Sequence, residues 1–266
     1  AYSGLIDRLP LEARRLYCEP DGRFPNHEAD PLKHENLVDL RKAVLEARAD
    51  LGIAFDGDGD RAVFVDETGE VVPADLLTAL LCEVILDRKL LGAGANAAML
   101  YDLRSSRVVP ETLRARGAVA IRSRVGHAFM KAVMRERGAC FGGELSGHYY
   151  FNFPSGYIGD DGAAAMMLLF EAIAARGLPL SKLWRPYRRY RQSGEINRRV
   201  ADVPATLARV RAAHAAGEAD ELDGLTVSYP DWWFNLRPSN TEPLLRLNLE
   251  AASDAEVARK RDALLA

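Results

Sequence analysis

The sequence predicts a mixed α/β protein, with mostly parallel α/β domains followed by a smaller C-terminal α+β domain. Three observations carry this. Between residues 73 and 187, short apolar runs of strand type alternate with helical patterns, as in a parallel sheet covered on both faces. From residue 188 onward strands are fewer and helices stand apart, the pattern of a small α+β unit. The length, 266 residues, with 48% hydrophobic and 27% charged residues, suits two domains or three small ones.

The elements follow in order across three regions, 1–72, 73–187 and 188–266. The first region opens with a partly helical stretch at 5–14 and a short strand at 15–18. A turn-rich segment at 19–33 carries Pro20, Gly22, Pro25, Asn26 and Pro31. Across 35–49, Leu37, Leu40, Val44 and Leu45 recur at helical spacing. The apolar run at 51–55 predicts a strand that stops at DGDGDR, and a second strand resumes at 62–66. In the second region Leu76, Leu77, Leu80, Leu81, Val84 and Ile85 form one helical face, with Asp75 suited to its start. Strands at 97–101, 119–121 and 139–141 alternate there with helices at 106–116, 127–137 and 160–175. The third region holds strands at 194–200, 225–229 and 244–249, a helix at 205–216 and a final helix from Ser253. Between the last two regions, LWRPYRRYRQ (183–192) reads as a solvated linker.

Charge narrows the function. Lys and Arg total 35 against 38 Asp and Glu, a net charge of -3. No global field then favours a nucleic-acid backbone or an anionic membrane, and neither is an expected partner. The longest apolar stretch, 163–175, is interrupted by Glu171 and is too short to span a bilayer. Three widely spaced cysteines, Cys18, Cys82 and Cys140, argue against a disulfide framework or a CxxC zinc site. With no apolar signal segment at the start of the sequence, a reducing cytoplasm is expected.

The most informative motif is DGDGDR at 56–61. Asp56, Asp58 and Asp60 place three carboxylates two residues apart, and these repel unless a cation lies among them. Glycines between them let the backbone curl so that the oxygens converge, and hard oxygen ligands in this number suit Mg²⁺. An EF-hand fails at its sixth position, where Arg61 stands in place of glycine. A haloacid-dehalogenase-type phosphatase is the other reading, with Asp56 as nucleophile and Asp160 and Asp161 as later metal carboxylates. Against it, Asp60 stands where that family expects Thr or Val.

Two further loops carry chemistry. GGELSGH at 142–148 presents Glu144, Ser146 and His148 on a glycine-flanked turn, groups able to accept from or donate to neighbouring sugar hydroxyls. His148 is also a candidate general acid or base. RPSNT at 237–241 combines the Arg237 guanidinium with Ser239, Asn240 and Thr241 between two strands, an anion cradle suited to phosphate. Loops for metal, polyol and phosphate in three regions point to a phosphosugar in a cleft between domains.

Taken in order, the turn segment DGRFPNH (21–27), DGDGDR, GELSGH and RPSNTEP resemble the α-D-phosphohexomutases, specifically the bacterial phosphomannomutase/phosphoglucomutase group. Val125, Gly126, His127 and Lys131 resemble a segment of that family's third domain that lines the active site. The resemblance implies a Mg²⁺-dependent enzyme that interconverts hexose 1-phosphate and 6-phosphate, of mannose or glucose, through a bisphosphorylated intermediate and a phosphoserine. It implies that Asp56, Asp58 and Asp60 ligate the metal and that Arg61 lies near the reacting phosphate. Glu144 and Ser146 would then hold sugar hydroxyls, and Arg237, Ser239, Asn240 and Thr241 the phosphate that is not reacting. His127 and His148 become candidates for cleft contacts or proton transfer. Arg104 stands where close relatives carry a cleft lysine, keeping the charge but being ill suited to act as a base. The family's nucleophile lies in a Thr-Ala-Ser-His-Asn-Pro segment, and no Ser-His pair occurs here. The expectation is therefore the remainder of the second domain (1–72), a third domain (73–187) and a C-terminal phosphate-binding domain (188–266). Such a chain is expected to bind phosphosugar weakly, or to act as a phosphosugar-binding module, without completing the mutase cycle alone.

Overall fold

The computed structural model describes residues 2–19, 21–94, 96–239 and 242–266. The first unit contains α1 (Ser3–Ile6), α2 (Val38–Ala47) and a three-stranded sheet of β1 (Leu51–Phe55), β2 (Ala62–Asp66) and β3 (Val71–Val72). β1 and β2 form an antiparallel hairpin in which Phe55 faces Ala62, so the aspartate loop is its turn. The expected helix at 5–14 is cut to one turn, consistent with Pro10, which removes an N–H and clashes with the preceding turn. The expected strand at 15–18 is absent. Tyr17 is exposed at φ +54°, which no extended strand tolerates, and its hydroxyl donates to Asp39 (2.6 Å).

The second unit runs through α3 (Ala74–Arg88), β4 (Ala98–Asp102), α4 (Val108–Ala115), β5 (Val119–Ser123), α5 (His127–Arg137), β6 (Phe141–Gly143), β7 (Tyr149–Asn152), β8 (Ile158–Asp160), α6 (Gly162–Arg176) and α7 (Leu180–Trp184). Its sheet order is β5-β4-β6-β7-β8. α3 is apolar nearly all round because α4, α6, α7 and the sheet enclose it. The mixed α/β class holds, but parallel pairing is limited to β4 with β5 and β6. The reason is that β7 and β8 return by tight turns without a crossover helix, which forces antiparallel ladders.

Residues 183–192 are not a solvated linker. Trp184 is fully buried and donates its indole N–H to Asp66 (3.1 Å), while Arg185 and Arg188 pair with Glu70 at 3.0 and 2.7 Å. The Arg188 guanidinium lies 4.6 Å from the Trp184 ring centroid. The Arg188 guanidinium lies over the Trp184 ring while Arg185 and Arg188 reach a carboxylate of the first unit, which makes a basic sequence a docking segment. Accordingly one hydrophobic core joins Ala62, Phe64 and Val72 of the first unit to α3, α6 and Trp184.

The third unit comprises β9 (Arg191–Gln192), β10 (Ile196–Arg199), α8 (Val203–Ala213), β11 (Glu218–Asp220), β12 (Leu225–Ser228), β13 (Trp232–Pro238), β14 (Leu244–Ala251) and α9 (Asp254–Leu265). Its sheet, β10-β14-β13-β12-β11, is antiparallel throughout, with β9 added to β14. Sheet, α8 and α9 enclose a separate core around Val227, Phe234 and Leu249. Ser253 caps α9 by accepting from the Glu256 amide.

Candidate active site

The aspartate loop curls as its glycines suggest. Gly59 adopts φ +85°, and Asp56 Oδ1 accepts from the backbone N–H groups of Gly59 (3.0 Å) and Arg61 (3.1 Å). Arg61 Nε donates to Asp56 Oδ2 at 2.7 Å, and its Nη1 reaches Asp30 at 3.3 Å. Asp56, Asp58 and Asp60 each bring a carboxylate oxygen within 4.8 Å of the others. Burial, with Asp56, Asp58 and Asp160 nearby, raises the Asp60 pKa, although His148 opposes the shift. Crowded, partly desolvated carboxylates of this kind fit a small hard divalent cation. The loop is seated against the start of α6: a Cβ on Gly162 would stand 2.7 Å from the Gly59 carbonyl oxygen. Asp161 caps that helix by accepting from Ala164 (3.0 Å).

The GELSGH turn meets this loop directly. Ala62 donates to the Gly147 carbonyl (3.0 Å), and Arg61 and His148 form an isolated antiparallel bridge. Gly147 is required at this contact, having φ +82° and a Cβ direction 3.2 Å from the Ala62 oxygen. His148 Nε2 thereby lies 3.4 Å from Asp60. Its Nδ1 sits 2.9 Å from Ser146 Oγ, whose hydroxyl is directed at Glu144 Oε2 (3.2 Å). His148 therefore bridges the two loops, with Nε2 facing Asp60 and Nδ1 facing Ser146 and Glu144.

Glu144 organises the turn from beneath. It is buried, accepting from Gly126 N (2.7 Å) at Oε1 and from the Tyr150 hydroxyl (2.6 Å) at Oε2. Burial alone would raise its pKa, but hydrogen bonds from His148, Tyr150 and Gly126 lower it to about 2. Burial, at 2% exposure, keeps Glu144 beneath the surface of the turn. Ser146 and His148 are the more accessible groups.

The remaining predicted residues divide. Asp102, fully buried, accepts from the Arg104 side chain (2.7 Å) and from Leu145 N (2.8 Å), tying Arg104 to the GELSGH turn. Arg104 Nη1 lies 3.9 Å from Glu195, which pairs with Arg237 at 3.3 Å. Lys131 Nζ pairs with Asp160 at 2.7 Å. His127 is exposed at the start of α5 and, among the described residues, forms no hydrogen bond or ion pair with the others. Arg237 is on β13 itself, where a loop was expected, because Trp232 to Pro238 pair in register with β14. Ser239 N donates to Leu244 O (2.9 Å), and Asn240 and Thr241 lie outside the described residues. A continuous path of contacts thus runs from Asp60 through His148, Glu144, Leu145, Asp102, Arg104 and Glu195 to Arg237.

Domain-level comparison matches this arrangement. Residues 2–69 match phosphoglucomutase/phosphomannomutase alpha/beta/alpha domain II, 73–190 match alpha/beta/alpha domain III, and 195–266 match the C-terminal domain. The chain belongs to the α-D-phosphohexomutase family. It is 44% identical over 241 residues to a phosphomannomutase of Methanocaldococcus jannaschii, covering 91% of this chain and 52% of that one. A phosphomannomutase of Salmonella montevideo is 40% identical over 256 residues, covering 95% of this chain and 54% of the relative. The chain spans about half the length of the curated relatives it matches. Among solved structures, a phosphoglucomutase/phosphomannomutase family protein from Burkholderia thailandensis superposes with TM-score 0.83 at 34% identity, over 93% of this chain and 52% of that one. An Aspergillus fumigatus N-acetylphosphoglucosamine mutase, solved with GlcNAc-6P and magnesium, shares the fold at TM-score 0.59 and 16% identity, over 80% of this chain and 47% of that one.

Family membership displaces the phosphatase reading. Asp161 is committed to capping α6. Sequence reasoning missed Asp30, Asp102, Tyr150 and Glu195. Asp102 had the readable signal, an aspartate ending an apolar strand in an α/β unit.

Proposed function

We propose that this chain supplies the metal, sugar and phosphate loops of a phosphomannomutase/phosphoglucomutase acting on mannose or glucose 1- and 6-phosphate. The observation that supports this reading is the chain of contacts from Asp60 to Arg237, which links the aspartate loop, the GELSGH turn and Arg237. Asp56, Asp58 and Asp60 would hold Mg²⁺, which when bound neutralises charge on the transferring phosphoryl oxygens. Arg61, held by Asp56 and Asp30, directs a guanidinium beside that position. Arg104, Arg237 and Ser239, with Asn240 and Thr241, grip the non-reacting phosphate, and Lys131 adds charge near the sugar loop. Ser146 orients the hexose, and Glu144 fixes the turn that carries it. His148, between the metal loop and the sugar loop, is the candidate for proton transfer, and His127, exposed at the start of α5, is a candidate for sugar contact. The phosphoryl-carrying serine would come from a segment outside these 266 residues.

The test follows mannose 6-phosphate and free phosphate separately, with mannose 1-phosphate, Mg²⁺ and a trace of hexose 1,6-bisphosphate. Silence alone, with isomerisation once a serine-bearing first-domain fragment of a relative is added, is the expected result. Free phosphate released by this chain alone and lost in Asp56→Asn would refute the reading. Binding of mannose 1-phosphate without turnover under complementation would reduce the chain to a phosphosugar-binding module.

A further inference from the structure

Glu195 lies between β9 and β10, at the joint of the second and third units, and three guanidinium groups converge on it. Arg246 Nη1 lies 3.2 Å from Oε1; Arg237 Nη2 lies 3.3 Å and Arg104 Nη1 3.9 Å from Oε2. Arg104 belongs to the second unit and the other two to the third, so one carboxylate bridges the joint. Asp102 beside Arg104 and Asp223 beside Arg124 pair two of the neighbouring cations, so Arg237 and Arg246 share Glu195 as their ion-pair partner among the described residues. The cluster's donors exceed its acceptors. The Nε atoms of Arg104 and Arg237 are buried with no hydrogen-bond partner among the described residues. Burial, followed by the charge of Arg104, lowers the Arg237 pKa, so this cluster favours additional negative charge.

A carboxylate offers two oxygens in a plane, whereas a phosphomonoester offers three around a tetrahedron and carries more charge. The same arginines can therefore serve a phosphate more completely than they serve Glu195. We propose that Glu195 is a built-in stand-in for the substrate phosphate, holding the arginine cluster until a phosphosugar displaces it. The proposal rests on the phosphate-binding reading of Arg237 and deepens it by assigning a competing internal anion. Glu195 sets affinity and release: its carboxylate must leave Arg237 for the ligand to bind, and its return helps expel product. A residue that merely positioned the arginines would instead support the site, and its loss would weaken phosphate binding.

Titration calorimetry on the 266-residue chain tests this with inorganic phosphate and mannose 1-phosphate as probes and mannose as the uncharged control. Glu195 is 27% exposed, so Glu195→Gln replaces it with an isostere without opening a cavity, and unchanged thermal unfolding confirms an intact fold. Glu195→Gln is expected to bind both phosphate probes about ten-fold tighter, the scale of removing one partly buried competing charge. Mannose binding should not change. Glu195→Asp, which keeps the charge, should tighten much less. Equal or weaker phosphate binding in Glu195→Gln, while Arg237→Gln still loses affinity, overturns the stand-in role and leaves the phosphate site standing. Equal tightening in Glu195→Asp also overturns it. No loss of affinity in Arg237→Gln overturns the phosphate reading and this proposal together.

Discussion

Asp102→Asn isolates the contact that ties Arg104 to the sugar loop. Asp102 has no exposed surface; Oδ1 accepts from Arg104 N (2.7 Å), and Oδ2 accepts from Arg104 Nη2 (2.7 Å) and Leu145 N (2.8 Å). An asparagine keeps one acceptor and turns its amide N–H₂ toward a donor on the other side. Breaking a buried ion pair by removing one partner costs about 3–5 kcal/mol. Glu195, 3.9 Å from Arg104, keeps part of the compensation, which places the electrostatic loss near the lower bound of about 3 kcal/mol. The unsatisfied donor at Leu145 or Arg104 adds about 1 kcal/mol. The expected destabilisation of the core shared by the first two units is therefore roughly 4 kcal/mol. Urea unfolding reads this loss, and amide hydrogen exchange at Leu145 reads its local part. Arg104→Met closes the cycle: with the buried cation gone, Asp102→Asn should cost about 2 kcal/mol less than in the wild-type background. A single-mutant loss below about 1 kcal/mol, or strict additivity in the cycle, refutes the claim that the buried pair positions the turn.

Acid should act through Glu144. Its pKa of about 2, below its ordinary 4.5, means that its stabilisation is complete above pH 4.5 and is lost as pH falls toward 2. The difference is worth roughly 3 kcal/mol, and Glu144→Gln should flatten that part of the stability–pH profile; an unchanged acid limb would count against it. In the metal loop, Asp58 is exposed, so Asp58→Asn should leave the metal-free melting temperature within about 1 °C and abolish the rise caused by millimolar Mg²⁺. Asp60→Asn should stabilise the metal-free chain at neutral pH, because Asp60 is raised and its ionised form is disfavoured on folding; scanning calorimetry of both variants decides the point. Trp184→Ala should cost about 3–5 kcal/mol by emptying the joint between the first two units, and a loss under about 1 kcal/mol in urea would show that residues 183–192 do not dock there.

The loops were legible because their chemistry is consecutive. Three aspartates in five residues, or Glu144, Ser146 and His148 within five, declare a purpose without their partners. The helix at 127–137 was legible for a related reason: its apolar spacing is local, and Gly138 in the left-handed region ends it. Partnership across the chain was not legible. Asp30 reaches Arg61 over 31 residues, Asp102 reaches Leu145 over 43, and Glu250 accepts from Arg107 N over 143. Nothing in the local sequence names those distant partners. Strand direction failed for a similar reason, since an apolar run at 149–152 reads alike whether its neighbour runs parallel or antiparallel. The stretch at 183–192 misled because its arginines suggest solvent, while Leu183, Trp184 and Tyr187 between them carry the burial.

These partnerships bear on function through charge balance. Arg61 rests on Asp56, Arg104 on Asp102, Arg237 on Glu195 and Lys131 on Asp160. Each cation that a phosphosugar would meet already has an anionic partner within the protein. The partners differ in burial, and that difference separates two roles. Asp102 is inaccessible and cannot leave Arg104 without a cost of several kcal/mol, so it fixes geometry. Glu195 is partly exposed, so its displacement costs less than that of Asp102, since water can replace its partners. A phosphosugar site of the proposed kind would benefit from this division: fixed partners keep the cations aimed, and a displaceable partner keeps the phosphate from being held too tightly.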